Sequence, residues 1–176
     1  MEEMTLGSLF DGIAGFPLAA QRQGIKTVWV SEIEPDCIDI AKRHFPEALQ
    51  LGDITKIHGD KIPVVDIISF GSPCQDLSVA GKQAGITGSR SGLFMEAVRI
   101  TREMREKTNG QYPKYIIWEN VAGAFSSNKG EDFRRVLEEI TKSNIPMPKS
   151  GKWANAGMVG IEGPGGGHSV YSVEIA

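Results

Sequence analysis

The stretch Thr5-Leu6-Gly7-Ser8-Leu9-Phe10-Asp11-Gly12-Ile13-Ala14-Gly15 decides how this chain folds. Thr5–Leu9 reads as a short strand, and Asp11-Gly12-Ile13-Ala14-Gly15 as a glycine-containing turn. A helix follows from about Pro17, with proline early in the helix and Gly24 just past its end, the placement each favours. A strand passing through a glycine turn into a helix is the opening unit of an α/β sheet. Glycines at such a crossing let a ligand approach the backbone and the helix N-terminus. No Gly-Lys-Ser/Thr follows, so this is not a phosphate loop. On these residues alone, a cofactor turn and an ordinary tight turn both stay open.

The alternation continues along the chain. Thr27–Val30 is β-branched and aromatic and predicts a second strand ending at Ser31-Glu32. Pro35 opens a helix that stops before Pro46, and Ala48–Leu51 predicts a short third strand leading into Gly52-Asp53. Pro63–Phe70 is nearly continuous in apolar residues, as a strand buried on both faces should be. Ser91–Glu106 has helical spacing, Tyr115–Trp118 predicts a fifth strand, and Glu131–Ser143 an amphipathic helix. Strands alternating with such helices predict an α/β fold with a mainly parallel sheet. Beyond Ile145 the pattern breaks: Pro146-Met147-Pro148 interrupts structure, and 160–167 holds five glycines and a proline. The expectation there is a loop or an unfolded end, with one short β-prone piece at Ser169–Ile175.

A chain of 176 residues suits one domain with a real core. No segment approaches the roughly 18 apolar residues of a membrane span, and no basic-then-apolar leader opens the chain. Two cysteines, Cys37 and Cys74, without closely spaced Cys/His partners, argue against a zinc site or a disulfide framework. Reduced thiols in a cytoplasmic protein are the expectation. The net charge of −3 hides an asymmetry: residues 1–73 hold 6 basic and 11 acidic side chains, residues 74–176 hold 13 and 11. Lys82, Arg90, Arg99, Arg102 and Arg105 suit either an anionic partner or a solvated helix face.

Ligands of open parallel sheets bind beyond the carboxyl ends of the strands. The polar residues expected there are Asp11 with Gly12 and Gly15, then Glu32, Asp53, the loop Ser72–Gln75, and Glu119-Asn120. Glu32 lies 20 residues beyond Gly12, where Rossmann-like folds place an acid that holds ribose hydroxyls; a solvated helix-start acid is the alternative. Asp53 suits an exocyclic amine or a turn. Cys74, in Phe70-Gly71-Ser72-Pro73-Cys74-Gln75-Asp76-Leu77-Ser78, is either a nucleophile or a small buried hydrophobe. Glu119 is either an acid facing that thiol or a helix-start carboxylate. A thiol and a carboxylate on neighbouring strands suit addition to an electrophilic ring, with the acid serving a ring nitrogen.

At this point the chain resembles the DNA (cytosine-5)-methyltransferase family. Leu9–Phe16, Ser31-Glu32-Ile33-Glu34 and Gly52-Asp53-Ile54 resemble its first three motifs, and Gly71–Lys82 its Pro-Cys-Gln nucleophile motif. Ser89–Phe94 and the Glu-Asn-Val run Trp118-Glu119-Asn120-Val121 follow in family order. The resemblance implies a Rossmann-like, S-adenosylmethionine-dependent methyltransferase fold, C-terminally truncated. Residues 1–145 would form the cofactor-binding and catalytic domain, and 146–176 a diverged Gly/Pro-rich tail. It implies S-adenosylmethionine held by Phe10, Gly12, Gly15, Glu32, Ile33, Asp53 and Ile54. Cys74 would attack C6 of a cytosine flipped from double-stranded DNA, and Glu119 would engage N3. Pro73 and Asn120 would position the loop, and Gln75, Ser78 and Arg90 would contact DNA. No metal is implied. Ala14 departs from the glycine usual at its position, and no Gln-x-Arg-x-Arg motif or recognition domain is visible. The resemblance implies methyl transfer from S-adenosylmethionine to C5 of cytosine in DNA; the alternative is an inactive remnant, or one half of a split methyltransferase that needs a partner chain for DNA recognition.

Overall fold

The computed structural model describes residues 3–71, 92–119, 126–141, 143–153, 156–162 and 168–174. They fall into two compact units, the first built from 3–71 and 92–119, the second from the residues beyond 126.

In the first unit five parallel strands form one sheet. They are β1 (Thr5–Leu9), β2 (Lys26–Ser31), β3 (Leu49–Gln50), β4 (Ile67–Phe70) and β5 (Tyr115–Trp118), in the order β3-β2-β1-β4-β5. The chain winds outward from β1 in one direction and then from β4 in the other. The switch point at β1/β4 is where such sheets open a crevice. Helices α1 (Gly15–Arg22), α2 (Pro35–His44) and α3 (Gly92–Lys107) carry the crossings.

The sheet centre is apolar because its strands are covered on both faces: Leu9, Trp29, Val30, Ile68 and Phe70 are all buried. Helix α3 presents Phe94, Ala97, Val98, Ile100 and Met104 inward. The Phe94 ring stands between Phe70 and Trp118, with centroids 6.1 and 5.7 Å away. Trp29 explains a glycine inside β1. A Cβ at Gly7 would lie 2.0 Å from the Trp29 ring, and the β1–β2 register shifts between Leu6 and Gly7.

The predicted strand at Pro63–Phe70 shortens to Ile67–Phe70, since residues 63–66 serve other contacts. The Pro63 carbonyl accepts from the Trp29 indole N–H at 3.0 Å. The Asp66 carboxylate accepts from the Thr5 amide (3.0 Å) and hydroxyl (2.8 Å) and pairs with Lys114 Nζ at 2.7 Å. This knot ties β1, β4 and β5 together at their amino ends. The first helix begins at Gly15, two residues before the expected position, with Pro17 inside its first turn.

In the second unit, α4 (Glu131–Thr141) buries Phe133, Val136 and Leu137. Trp153 packs edge-on against Phe133 at 5.2 Å, and its indole N–H donates to Gly130 O at 2.8 Å. Gly130 has φ of +88° and so suits glycine. The tail expected to be a loop instead forms a hairpin, β6 (Ala156–Glu162) pairing antiparallel with β7 (His168–Glu174). Gly157 and Gly160 sit inside β6, which obscured its alternation.

Candidate active site

Every strand of the sheet ends on the same rim, and the described candidate residues gather there. After β1 the backbone turns sharply: Phe10, Gly12 and Ala14 have φ of +54°, +56° and +68°. Positive φ at a bulky residue such as Phe10 is strained and concentrates at ligand sites. Helix α1 starts directly after Ala14, so its free amide groups open onto this turn. Gly15 needs no glycine for its own packing, because a Cβ there would meet nothing within 4 Å.

Glu32, at the end of β2, is tied into this turn. One carboxylate oxygen accepts from the Gly12 amide at 2.7 Å, the other from Ile33 (2.7 Å) and Glu34 (3.0 Å). The spacing of 20 residues thus becomes a direct contact between the two strand ends. The Asp11 amide adds a second link, donating to Ser31 O at 3.0 Å. The Ile33 side chain, 64% exposed, offers an apolar surface beside the carboxylate.

Asp53 follows β3 and caps the 3-10 turn Ile54–Lys56. Its Oδ1 accepts from the Thr55 amide (2.9 Å) and hydroxyl (2.8 Å). The Thr55 hydroxyl, then its amide, hold the Asp53 carboxyl below its ordinary value, with Lys56 assisting. Oδ2 faces the Lys56 ammonium at 3.8 Å. Ile54 is buried and so supports this turn from below. The Ser31 hydroxyl donates to Gly52 O at 2.7 Å, fixing the third strand end to the second.

On the other side of β1, β4 and β5 lie side by side with Phe70 opposite Trp118. The Glu119 amide donates to Phe70 O at 2.9 Å, extending the pairing by one residue. Its carboxylate then leans over Gly71: a Cβ built on Gly71 would stand 2.9 Å from Glu119 Oε2. Glu119 is exposed and Gly71 half-buried. Pro73, Cys74, Gln75, Ser78, Arg90 and Asn120 lie outside the described residues.

Asp11 is the residue whose importance the sequence did not reveal. It is 5% exposed, and among the described residues neither carboxylate oxygen has a hydrogen-bond partner. Burial pushes its carboxyl up to about 6; the Ser8 hydroxyl opposes this, without a bond of good geometry, and Glu32 adds to it. Cys37, on α2, has its thiol raised by burial and then by Glu32, Glu34, Asp36 and Asp11. It therefore stays protonated at neutral pH and is a poor nucleophile. His58, Asp60 and Glu103 cluster elsewhere, but Glu103 already accepts from Gly59 and Arg99, and Asp60 pairs with Lys61.

Sheet order, crossing helices and a glycine turn joined to an acid on the next strand define the S-adenosylmethionine-dependent methyltransferase fold. Fission yeast (S. pombe) Dnmt2 methyltransferase shares it, with a TM-score of 0.58 at 23% identity over 77% of this chain and 42% of that one. The family described as C-5 cytosine-specific DNA methylase matches residues 4–144, and the chain belongs to it. Enzymes of that family take their methyl group from S-adenosylmethionine. Among relatives, the Type II methyltransferase M.NlaIV of Neisseria lactamica is 33% identical over 80% of this chain. A protein of Escherichia phage P1 named DNA N-6-adenine-methyltransferase is 30% identical over 93% of it. The chain spans 33% of the first relative's length and 24% of the second's.

Proposed function

We propose that this chain carries the cofactor site and the reacting residues of a DNA cytosine-5 methyltransferase. The observation that carries this reading is the approach of the Glu119 carboxylate to Gly71, three residues before Cys74. It supports a thiol and an acid working on one ring.

In this reading the Cys74 thiolate forms a bond to C6 of a flipped cytosine while Glu119 hydrogen-bonds N3 and supplies a proton there. The electron pair displaced from the C5–C6 bond makes C5 nucleophilic. The bound cofactor supplies an electrophilic methyl group. Loss of the C5 proton to a base, with the N3 proton returned to Glu119, then re-forms the double bond and expels the thiolate. Pro73 and Asn120 position the loop, and Gln75, Ser78 and Arg90 contact the DNA.

The cofactor fits the residues present. Gly12 and Gly15 leave the turn open, Glu32 suits the ribose hydroxyls, and Asp53 Oδ2 suits the adenine amine. Phe10, Ile33 and Ile54 shape the apolar flanks. Residues 1–145 serve as the cofactor-binding and catalytic domain, with 146–176 beyond it. The substrate in this reading is double-stranded DNA; in the second reading the chain is one half of a split enzyme whose partner chain supplies DNA recognition.

Cytosine is favoured over adenine on chemical grounds. Methylating an exocyclic amine needs no covalent nucleophile, and Pro73-Cys74-Gln75 would then have no task. The test is transfer of labelled methyl groups to duplex DNA, followed by nucleoside analysis. The expected product is 5-methylcytosine, lost in Cys74→Ser; N6-methyladenine, or product from Cys74→Ser, would overturn the reading. Robust turnover by the 176-residue chain alone would remove the need for a partner.

A further inference from the structure

Helix α3 carries an arginine that is turned back onto its own fold. Arg99 lies between two carboxylates of the same helix, its Nε donating to Glu96 Oε2 at 3.0 Å and its Nη1 to Glu103 Oε1 at 2.8 Å. Pairs of this kind along one helix face add little to stability on their own. What sets this one apart is where the remaining donor goes: Nη2 reaches Ile54 O at 3.4 Å, 45 residues away in sequence. Glu103 behaves likewise, its second oxygen accepting from the Gly59 amide at 2.6 Å. The helix backbone touches the same segment, since a Cβ on Gly59 would stand 2.1 Å from Ile100 O. Helix α3 is the bed on which residues 54–59 rest.

The Ile54 carbonyl and the Thr55 N–H belong to one planar peptide group. That N–H donates to Asp53 Oδ1 at 2.9 Å, so whatever fixes the carbonyl end also fixes how the Asp53 carboxylate is held. The Ile57 amide donates to Ile54 O as well, at 3.2 Å, but from within the same turn. Among the described residues, Arg99 is the donor that ties this carbonyl to another element. We propose that Arg99 is a positioning residue for Asp53: its guanidinium, locked by Glu96 and Glu103, orients the Ile54–Thr55 peptide and so aims Asp53 Oδ2 at the ligand. The inference rests on the proposed pairing of Asp53 with the adenine amine, and adds to it a specificity determinant that touches no ligand. A donor on the carbonyl also polarises the peptide, which strengthens the Thr55 N–H bond to Asp53. The planar fork of a guanidinium serves two carboxylates and still extends a donor toward Ile54; the ammonium of lysine is a point charge without that fixed reach.

Titration calorimetry of the 176-residue chain tests this with two ligands, S-adenosylhomocysteine and its analogue bearing hydrogen in place of the exocyclic amine. The wild type should bind the amine form about tenfold more tightly, the worth of a hydrogen bond to a charged group. Arg99→Met keeps most of the apolar stem. Arg99→Lys keeps the charge that Glu96 and Glu103 need, and so stands in if the first variant fails to fold. In either variant, affinity for S-adenosylhomocysteine should fall about three- to fivefold while that for the analogue changes by less than about twofold. Equal weakening of both ligands would mean a merely structural role and overturns the proposal, as does full wild-type discrimination in Arg99→Lys. A wild type that binds both ligands equally sinks the pairing of Asp53 with the amine and this inference with it. Failure to bind either ligand sinks the cofactor site as well.

Discussion

Gly71 and Glu119 occupy the ends of adjacent strands, and the space that glycine leaves open is where the carboxylate lies. Gly71→Ala should therefore push Glu119 aside. We expect methyl transfer to fall at least about tenfold, with stability changed by less than about 1 kcal/mol because the residue is at the rim. Equal activity in the alanine variant would contradict the placement of Glu119. Asp11 makes a prediction of opposite sign. Its folded-state value near 6 lies above the ordinary 3.8, so the folded protein binds that proton more tightly than the unfolded chain does. The cost of ionising it is fully present above pH 6 and is relieved as the pH falls from 6 toward 4. Asp11→Asn should stabilise the protein by up to about 3 kcal/mol at pH 7.5 and by less at pH 5, as read by urea denaturation. The sequence placed Asp11 at the rim but could not show its isolation. Burial and the lack of a donor depend on how β1 and β2 close around it, which no local pattern encodes.

At the scale of elements, β1 and β5 lie where alternation and β-branched content place them. Strand β4 is shorter than its apolar run because Asp66 and Pro63 are drawn into long-range contacts with Thr5, Lys114 and Trp29. Such contacts span up to 61 residues, beyond any window of local sequence. The terminal hairpin escaped notice for a different reason: glycines inside a strand read as breaks unless the pairing partner is known. Gly7 is the most exacting position in the sheet. A Cβ there would overlap the buried Trp29 ring, so Gly7→Ala should cost about 2–3 kcal/mol or more. Thermal or chemical denaturation measures this, and Gly7→Ala with Trp29→Leu should recover part of the loss. An unchanged midpoint in the single variant would contradict the packing of Trp29 over β1.

At the scale of the molecule, the parallel order β3-β2-β1-β4-β5 turns separate motifs into one rim. The glycine turn, Glu32, Asp53 and Glu119 come from four strand ends far apart in sequence, yet all lie at the same edge of the sheet in the first unit. That convergence was legible from the sequence because each motif follows an apolar strand, and parallel strands must end together. The excess of acid in residues 1–73 is partly concentrated in one place, since Glu32, Glu34, Asp36 and Asp11 all act on the Cys37 thiol. Among the described residues no helix is long and apolar enough to cross a membrane. The central claim, that Cys74 is the nucleophile of this rim, is tested most directly by trapping. Duplex DNA containing 5-fluorocytosine should, with S-adenosylmethionine and any partner chain required for DNA binding, form a covalent adduct that peptide mapping assigns to Cys74. The fluorine blocks the elimination step that would release the thiolate. No adduct under cofactor saturation, or an adduct mapped to Cys37, would contradict the account.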